Sequence, residues 1–367
     1  MGRVTWRNFD FWLFGSVLIL SIFGIVMIRS AIAGNETLTG LDSTQAIFVA
    51  IGMGVIIAAA AFDYHYFQTL TRVMYVSNVG FLVVLLAIGD VAFGSNRWIN
   101  IGPVNIQPSE LAKIIMILVL ADYFSRTQNS PKDFRWVFRS LALTGGVVVW
   151  IILQPDLSTS IVIIVIWFAL IWLAGLPPRF LAIFAVLGTL TAVLAFPFLE
   201  EYQQGRIINF LFPDPNARYG NTYNVDQALV TIGSGGLFGQ GYGHSPQVQL
   251  RFLKVRHTDF IFSAMAAEFG FIGTVVVIAL MVFMLMRCLR AVRLARDMYG
   301  SLIAFGFSIL ILFQMVVNIG VNLNLVPVTG LTLPFISYGG SSLLSLALGI
   351  GLVESVALRS RTGEANI

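Results

Sequence analysis

In His257-Thr258-Asp259-Phe260-Ile261-Phe262-Ser263 an acid stands where a long polar stretch runs into an apolar one. An ionisable side chain at a membrane boundary costs free energy unless it is paired or functional, so Asp259 reads first as a working site. Other polar residues are placed to join it. Arg97 and Trp98 precede an apolar run that opens near residue 108, and Gln107, Glu110 and Lys113 occupy its start, with Glu110 and Lys113 on one helical face. Gln154 and Asp156 lie between two further runs. Gln314, Asn318 and Asn322, at i, i+4 and i+8, form a polar stripe along another. Ser337-Tyr338-Gly339-Gly340-Ser341-Ser342 opens the last. Acids, a lysine, amides and hydroxyls from residues 97 to 342 would then meet at one depth and line one polar cavity.

Each of these has a plainer reading. Glu110 and Lys113 would be a charge-neutral pair, as intramembrane charges usually are. Asp156 and Asp259 would cap helices. The amide stripe would bind helix to helix, and the Gly-Gly-Ser-Ser run would be small-residue packing. His257 has no second His or Cys at metal spacing. None of these readings by itself requires the sites to gather at one end of the spans.

The elements that must position these residues follow from composition. With 57% hydrophobic and 11% charged residues and a mean hydropathy of +0.85, the chain lies far from the roughly 25% charged residues of soluble domains. It is expected to be an all-α, polytopic membrane protein. Apolar runs long enough to cross ~30 Å of hydrocarbon as helices lie near 10–32, 44–62, 72–90, 108–125, 136–153, 157–175, 179–198, 259–287, 301–323 and 339–358. Ten transmembrane helices put both termini on one side, in a single ten-helix membrane domain over residues 1–367.

Arg3, Arg7, Arg72, Arg126, Lys132, Arg135, Arg139, Arg179, Arg287, Arg290, Arg293, Arg296, Arg359 and Arg361 flank one set of span ends, whereas the short loops of the other set hold little beyond Arg29 and Arg97. By the positive-inside rule the first set, and both termini, are cytoplasmic. The net charge of +4 is then a topology signal, and the Arg287 to Arg296 run is a lipid-facing anchor; no nucleic-acid partner is implied. Arg3 and Arg7 before an apolar stretch imitate a signal peptide, but that stretch exceeds the ~7–15 residues of an h-region and is taken as the first span. The lone Cys288 reads as packing.

The long extracellular loop between spans 7 and 8, residues 199–256, carries too much apolar surface for a solvated tail, including Phe210, Leu211, Phe212, Leu237 and Phe238. It is expected to fold as short helices on the outer leaflet. Gly233-Ser234-Gly235-Gly236 and Gly239-Gln240-Gly241-Tyr242-Gly243 would be tight turns. They match neither a Rossmann fingerprint nor a P-loop.

Taken in order, Arg97-Trp98-Ile99, Gln107-Pro108-Ser109-Glu110, Gln154-Pro155-Asp156-Leu157, Ile232-Gly233-Ser234-Gly235-Gly236, His257-Thr258-Asp259-Phe260-Ile261-Phe262 and Leu333-Pro334-Phe335-Ile336-Ser337-Tyr338-Gly339-Gly340-Ser341-Ser342 resemble the successive signatures of the SEDS family (shape, elongation, division and sporulation). They span nearly the whole chain. Gly205-Arg206 to Leu211, Tyr223-Asn224 and the Gly-Ser-Gly-Gly turn look more like the RodA branch of that family than the FtsW branch, while Gly330-Leu331-Thr332-Leu333 leans the other way. Two motifs depart from the pattern: Ser158 follows Leu157 where the family usually has Gly, and Ala267 precedes Glu268 where it usually has a second Glu.

The resemblance implies a peptidoglycan glycosyltransferase that polymerises lipid II during cell elongation. Asp259 would be the general base and take the proton of the acceptor 4-hydroxyl as it attacks the anomeric carbon. Arg97 and Lys113 would face the departing pyrophosphate, and Trp98 would lie at the lipid interface or stack on a sugar. Gln107, Glu110, Asp156, His257, Ser337, Ser341 and Ser342 complete the expected substrate-binding set, with no metal ligand. Implied partners are lipid II, undecaprenyl pyrophosphate, membrane lipids and a class B penicillin-binding protein. No cofactor is implied, though a divalent cation at the pyrophosphate is left open. The rival reading is a transporter that flips the lipid-linked precursor, for which the sequence offers neither an internal repeat nor a matching polar cluster at the other end.

Overall fold

In a bilayer the backbone must pair its own N–H and C=O groups, so apolar runs of this length become helices. The computed structural model describes residues 6–88, 90–92, 95–101, 104–213, 220–250 and 252–360, with the backbone alone for residues 7, 37, 87–88, 90–92, 95–101, 104–106, 192 and 221. In chain order the helices are α1 (Phe11–Ile32), α2 (Leu41–Ala61), α3 (Tyr64–Ile88), α4 (Pro108–Arg126), α5 (Phe134–Leu153), α6 (Leu157–Leu173) and α7 (Arg179–Ala195). Then come α8 (Glu201–Leu211), α9 (Gly220–Ser234), α10 (Pro246–Gln249), α11 (Ile261–Leu294), α12 (Met298–Asn322) and α13 (Gly340–Leu358). Between α3 and α4 runs a short antiparallel meander, β1 (Asp90–Ala92), β2 (Ser95–Ile101) and β3 (Val104–Ile106). This is a local exception to the all-α expectation.

The chain is a multi-pass helical membrane protein. Among the described residues, eight helices are long and apolar enough to cross a membrane. Of the ten helices at the expected spans, the two outside that set are α6, which is apolar but has 17 residues, and α4, which carries Glu110, Lys113, Asp122 and Arg126. Both pack inside the bundle. At its centre lie α12 and α13, with α13 laid along α2. Gly351 makes that approach possible: a Cβ there would come within 2.5 Å of the Ala59 Cβ. At the periphery, α7 is almost wholly exposed.

Two boundaries differ from the sequence reading. α3 begins at Tyr64 rather than near 72, because Tyr64 is fully buried and its hydroxyl donates to Asp297 Oδ2 at 2.5 Å. Arg72 therefore lies inside the helix. α11 runs on to Leu294 rather than ending near 287, so Arg287, Arg290 and Arg293 ride on its last turns.

The ends bearing these arginines are tied by ion pairs. Asp10 caps α1 by accepting from Leu13 N (3.1 Å) and pairs with Arg287 (2.6 Å). Its own N–H donates to Glu354 Oε2 of α13 (3.0 Å). Asp63 meets Arg359 (3.3 Å), Asp122 meets Arg126 (2.6 Å), and Asp297 caps α12 while bonding His65 Nε2 (3.0 Å). Arg3 and Arg361 lie outside the described residues. Cys288 is fully buried here, as its packing role requires.

Candidate active site

At the opposite end, α11 opens after a run of turns. Its cap position is Phe260, so Asp259 stands one residue outside the helix and is not its N-cap. The capping is done from α12 instead: Asn322 Oδ1 accepts from Ser263 N (3.1 Å) and from Ser263 Oγ (2.6 Å). The residues around Asp259 are anchored through successive carbonyls. His257 O accepts from Tyr338 N (2.9 Å), Thr258 O from Ser337 Oγ (2.7 Å), and Asp259 O from both Asn318 Nδ2 (3.1 Å) and Asn322 Nδ2 (2.9 Å). Leu333 N donates to Ser337 Oγ in turn (2.9 Å). The half-buried Asp259 carboxylate lies beside Gly330, where an added Cβ would stand 3.8 Å from Oδ2. Gly330 has φ +80, a backbone setting suited to glycine. Its neighbour Thr329 has its carbonyl fixed by Ser158 Oγ (2.6 Å) and Arg206 Nη1 (3.1 Å).

His257 is packed near the Tyr338 ring. Burial, reinforced by the adjacent Arg256 charge, pushes its imidazole below the ordinary histidine pKa. At neutral pH it therefore offers a hydrogen-bonding ring rather than a cation.

A second cluster joins α4, α6 and α13. Asp156 is buried and does cap α6, accepting from Thr159 N (3.1 Å), as the plainer reading expects. Its Oδ2 also accepts from Gln107 Nε2 (2.9 Å), Ser109 Oγ (3.1 Å) and Thr159 Oγ1 (2.9 Å). Gln107 N donates to Ser341 Oγ at 3.1 Å, and Ser342 Oγ lies 3.0 Å from Thr332 Oγ1. Lys113, 1% exposed, donates to both Glu110 oxygens at 2.8 Å, and Ser345 Oγ reaches Glu110 Oε2 at 3.4 Å. The structure thus brings Gln107, Glu110, Lys113, Asp156, His257, Asp259, Ser337, Ser341 and Ser342 to the same end of the bundle. The side chains of Arg97 and Trp98 lie outside the described residues.

The glycine-rich loop does more than turn. α11 is broken at Gly270 (φ 67, ψ −169), about 14 Å along the helix from Ile261 at 1.5 Å per residue. Segment 236–241 inserts into the break. Gln240 N and Gly241 N donate to Ala267 O (2.9 Å) and Glu268 O (3.0 Å), while Phe271 N and Ile272 N donate to Gly236 O (2.9 Å) and Leu237 O (3.1 Å). A Cβ on Gly239 would overlap the Glu268 carbonyl at 2.2 Å. Glu268, 1% exposed, accepts from Ser30 Oγ of α1 and touches the same loop at the Gly243 backbone.

Sequence reasoning did not identify this break, the cap supplied by Asn322, or the Arg206 and Ser158 contacts to Thr329. The available signal for the break was an acid, Glu268, inside an otherwise apolar run two residues before a glycine. Among the described residues no three His, Cys, Asp or Glu side chains are grouped so as to hold a metal ion.

The family model FTSW_RODA_SPOVE, "Cell cycle protein", matches residues 11–362. A probable peptidoglycan glycosyltransferase FtsW from Hydrogenovibrio crunogenus is 36% identical over 364 residues, covering 96% of this chain and 92% of that protein. Among solved structures, a chain from work on the structural coordination of polymerization and crosslinking by a peptidoglycan synthase complex superposes with TM-score 0.81 and 29% identity, over 95% of this chain and 97% of that one. The crystal structure of the Thermus thermophilus rod shape determining protein RodA superposes with TM-score 0.71 and 29% identity, over 97% and 99%.

Proposed function

Since the chain belongs to the FtsW/RodA/SpoVE family of cell cycle proteins, we propose that it is a peptidoglycan glycosyltransferase that joins lipid II units into glycan strands, with Asp259 as general base. The observation that carries this reading is the mounting of Asp259. Its segment is fixed through three backbone carbonyls, and its carboxylate lies against a glycine that adds no side chain. In the reaction, Asp259 takes the proton of the acceptor 4-hydroxyl while that oxygen bonds to the donor's anomeric carbon. The bond from that carbon to the pyrophosphate breaks, undecaprenyl pyrophosphate leaves as an anion, and attack from the opposite face inverts the centre.

Arg97 is the cation proposed to face the pyrophosphate, with Trp98 beside it at the lipid interface or against a sugar. Lys113 is proposed to act there through its pair with Glu110, since its ammonium is buried against that carboxylate. Gln107, Asp156, Ser341 and Ser342 form the wall next to this pair, and His257 and Ser337 the wall next to Asp259. The single membrane domain includes loop 199–256, which we place outside the cytoplasmic membrane together with the site, by the arginine asymmetry. The superposition on a chain of a peptidoglycan synthase complex supports a class B penicillin-binding protein as partner. Gly205 to Leu211 favours the elongation branch. A flippase would make use of a broken helix, but the break at Gly270 is filled by loop backbone.

The test is lipid II polymerisation on a gel by purified protein with its partner, comparing wild type with Asp259→Asn at matched melting temperature. Asn cannot take the proton, so the rate falls on the order of 10²–10⁴-fold; near-normal polymer would return Asp259 to structure. Orientation is tested by E201C, at an exposed, charged position in the loop. It should label with an impermeant reagent from outside, and buried Cys288 should stay unlabelled; labelling from the cytoplasm alone would reverse the topology.

A further inference from the structure

The amides of α12 converge on the proposed base. Asn318 and Asn322 are 1% and 0% exposed, and both direct Nδ2 at the Asp259 carbonyl. Asn318 Nδ2 also reaches Leu331 O at 2.8 Å, so one amide group joins the backbone of Asp259 to the turn its carboxylate faces. Asn322 Nδ2 donates back to Asn318 O (2.8 Å), and its oxygen caps α11 through Ser263. Ordinary interhelical glue needs one amide bonded to any group across the interface. Here two amides one helical turn apart spend their donors on a single residue and on the turn opposite it.

We propose that Asn318 and Asn322 are positioning residues for the transfer reaction, which fix the distance and angle between the Asp259 carboxylate and the Thr329-Gly330-Leu331 turn. The proposal rests on the reading of Asp259 as base. Asn322, by capping α11 from the neighbouring helix, relieves Asp259 of that duty, which an aspartate at a helix start would otherwise perform. Asn318 holds both sides of the gap at once. The turn is braced from behind, because Thr329 O is bonded by Ser158 and Arg206 from α6 and α8. Proton transfer requires the base within hydrogen-bond reach of the acceptor hydroxyl, and a misplacement of about 1 Å far from the chemistry can cost ~10²-fold.

Asn318→Leu removes the shared donor with little change of volume. In lipid II polymerisation with the partner present, kcat should fall on the order of 10²-fold at little-changed KM, with the acidic limb of the pH–rate profile displaced. Combined with Asp259→Asn it should cause no further loss, because its effect acts through that carboxylate. Wild-type kcat in folded Asn318→Leu would overturn the proposal, as would losses that multiply in the double variant, which mark interhelical glue. If Asn318→Leu does not fold, N318D serves: it keeps the shape, replaces the amide donor with an acceptor and should lose kcat similarly, so full activity in it also overturns the proposal. Failure of the underlying reading looks different, because Asp259→Asn alone would then polymerise normally.

Discussion

At the arginine end of the bundle Asp10, Asp63, Asp122 and Asp297 hold other groups, namely helix starts, arginines and His65. At the other end Asp259 is itself held, by its carbonyl, and so are His257 and Thr258 before it. The break in α11 is likewise closed by main chain from the loop. Among the described residues, one end is knit by side-chain charges, whereas at the other the segment carrying Asp259 and the loop in α11 are held through backbone groups. The contrast teaches where chemistry can be accommodated. A carboxylate that secures a helix start or a cation cannot change its charge without weakening the fold, whereas the anchoring of Asp259 through its peptide oxygen does not depend on the state of its carboxylate.

The contrast can be attacked from both sides. The largest effect is expected at the backbone-held end: Gly270→Ala forces a side chain onto φ 67 and to within 2.2 Å of Gly239 N. It should cost on the order of 4 kcal/mol or more and abolish folded yield. A well-folded Gly270→Ala protein would mean that the loop is not seated in the break. Glu110 and Lys113 are the exception to sharpen, a side-chain pair at the backbone-held end. Glu110→Ala and Lys113→Ala should each lower thermal stability by ~3–5 kcal/mol, because each leaves one charge buried, and the double change should be milder than either. Simple additivity would make Lys113 a phosphate ligand instead of a partner.

At the arginine end, Arg287→Ala removes the cation from Asp10 and should cost about 1.5–3 kcal/mol while leaving the polymerisation rate per folded molecule unchanged. A rate loss there, at equal folded fraction, would show that the two ends do not divide the labour. The smallest effect belongs to Asp133, which caps α5 by accepting from Trp136 N at 2.9 Å. Asp133→Asn should cost a few tenths of a kcal/mol and Asp133→Ala about 1 kcal/mol, read as melting temperature. Equal and large losses in both would mean that its charge, and not its cap, matters.

Much of this was legible in the sequence. Apolar runs announced the helices because hydrocarbon thickness sets their length, and the i, i+4 spacing of Asn318 and Asn322 put both on one face. The Glu110 and Lys113 pair followed from the same rule. The start of α3 was missed because His65 and Gln68 make its first turns polar, and apolarity alone cannot tell a wetted helical turn from a loop. The end of α11 was missed for the same reason, its last turns being rich in arginine. The break at Gly270 was hidden because Gly270 and Gly273 in an apolar run are compatible with continuous helix, and Glu268 marks a buried acid without marking a break. Only the segment that fills the gap, some 30 residues upstream, distinguishes the two, and that pairing has no local signature. The Asp259 carbonyl was illegible for a related reason: sequence names side chains, and here the peptide oxygens carry the anchoring.

The filled break also constrains how the protein is made. When residues 261–294 enter the bilayer, the carbonyls of Ala267 and Glu268 and the amides of Phe271 and Ile272 lack helical partners, and each such group left bare in hydrocarbon costs several kcal/mol. The peptide that satisfies them, residues 236–241, precedes this span in the chain and leaves the ribosome first. In the orientation proposed above, it can already be across the membrane when the broken helix arrives. A circular permutation that moved the loop behind α11 would keep every residue and every contact, yet would insert that helix with four backbone groups unsatisfied.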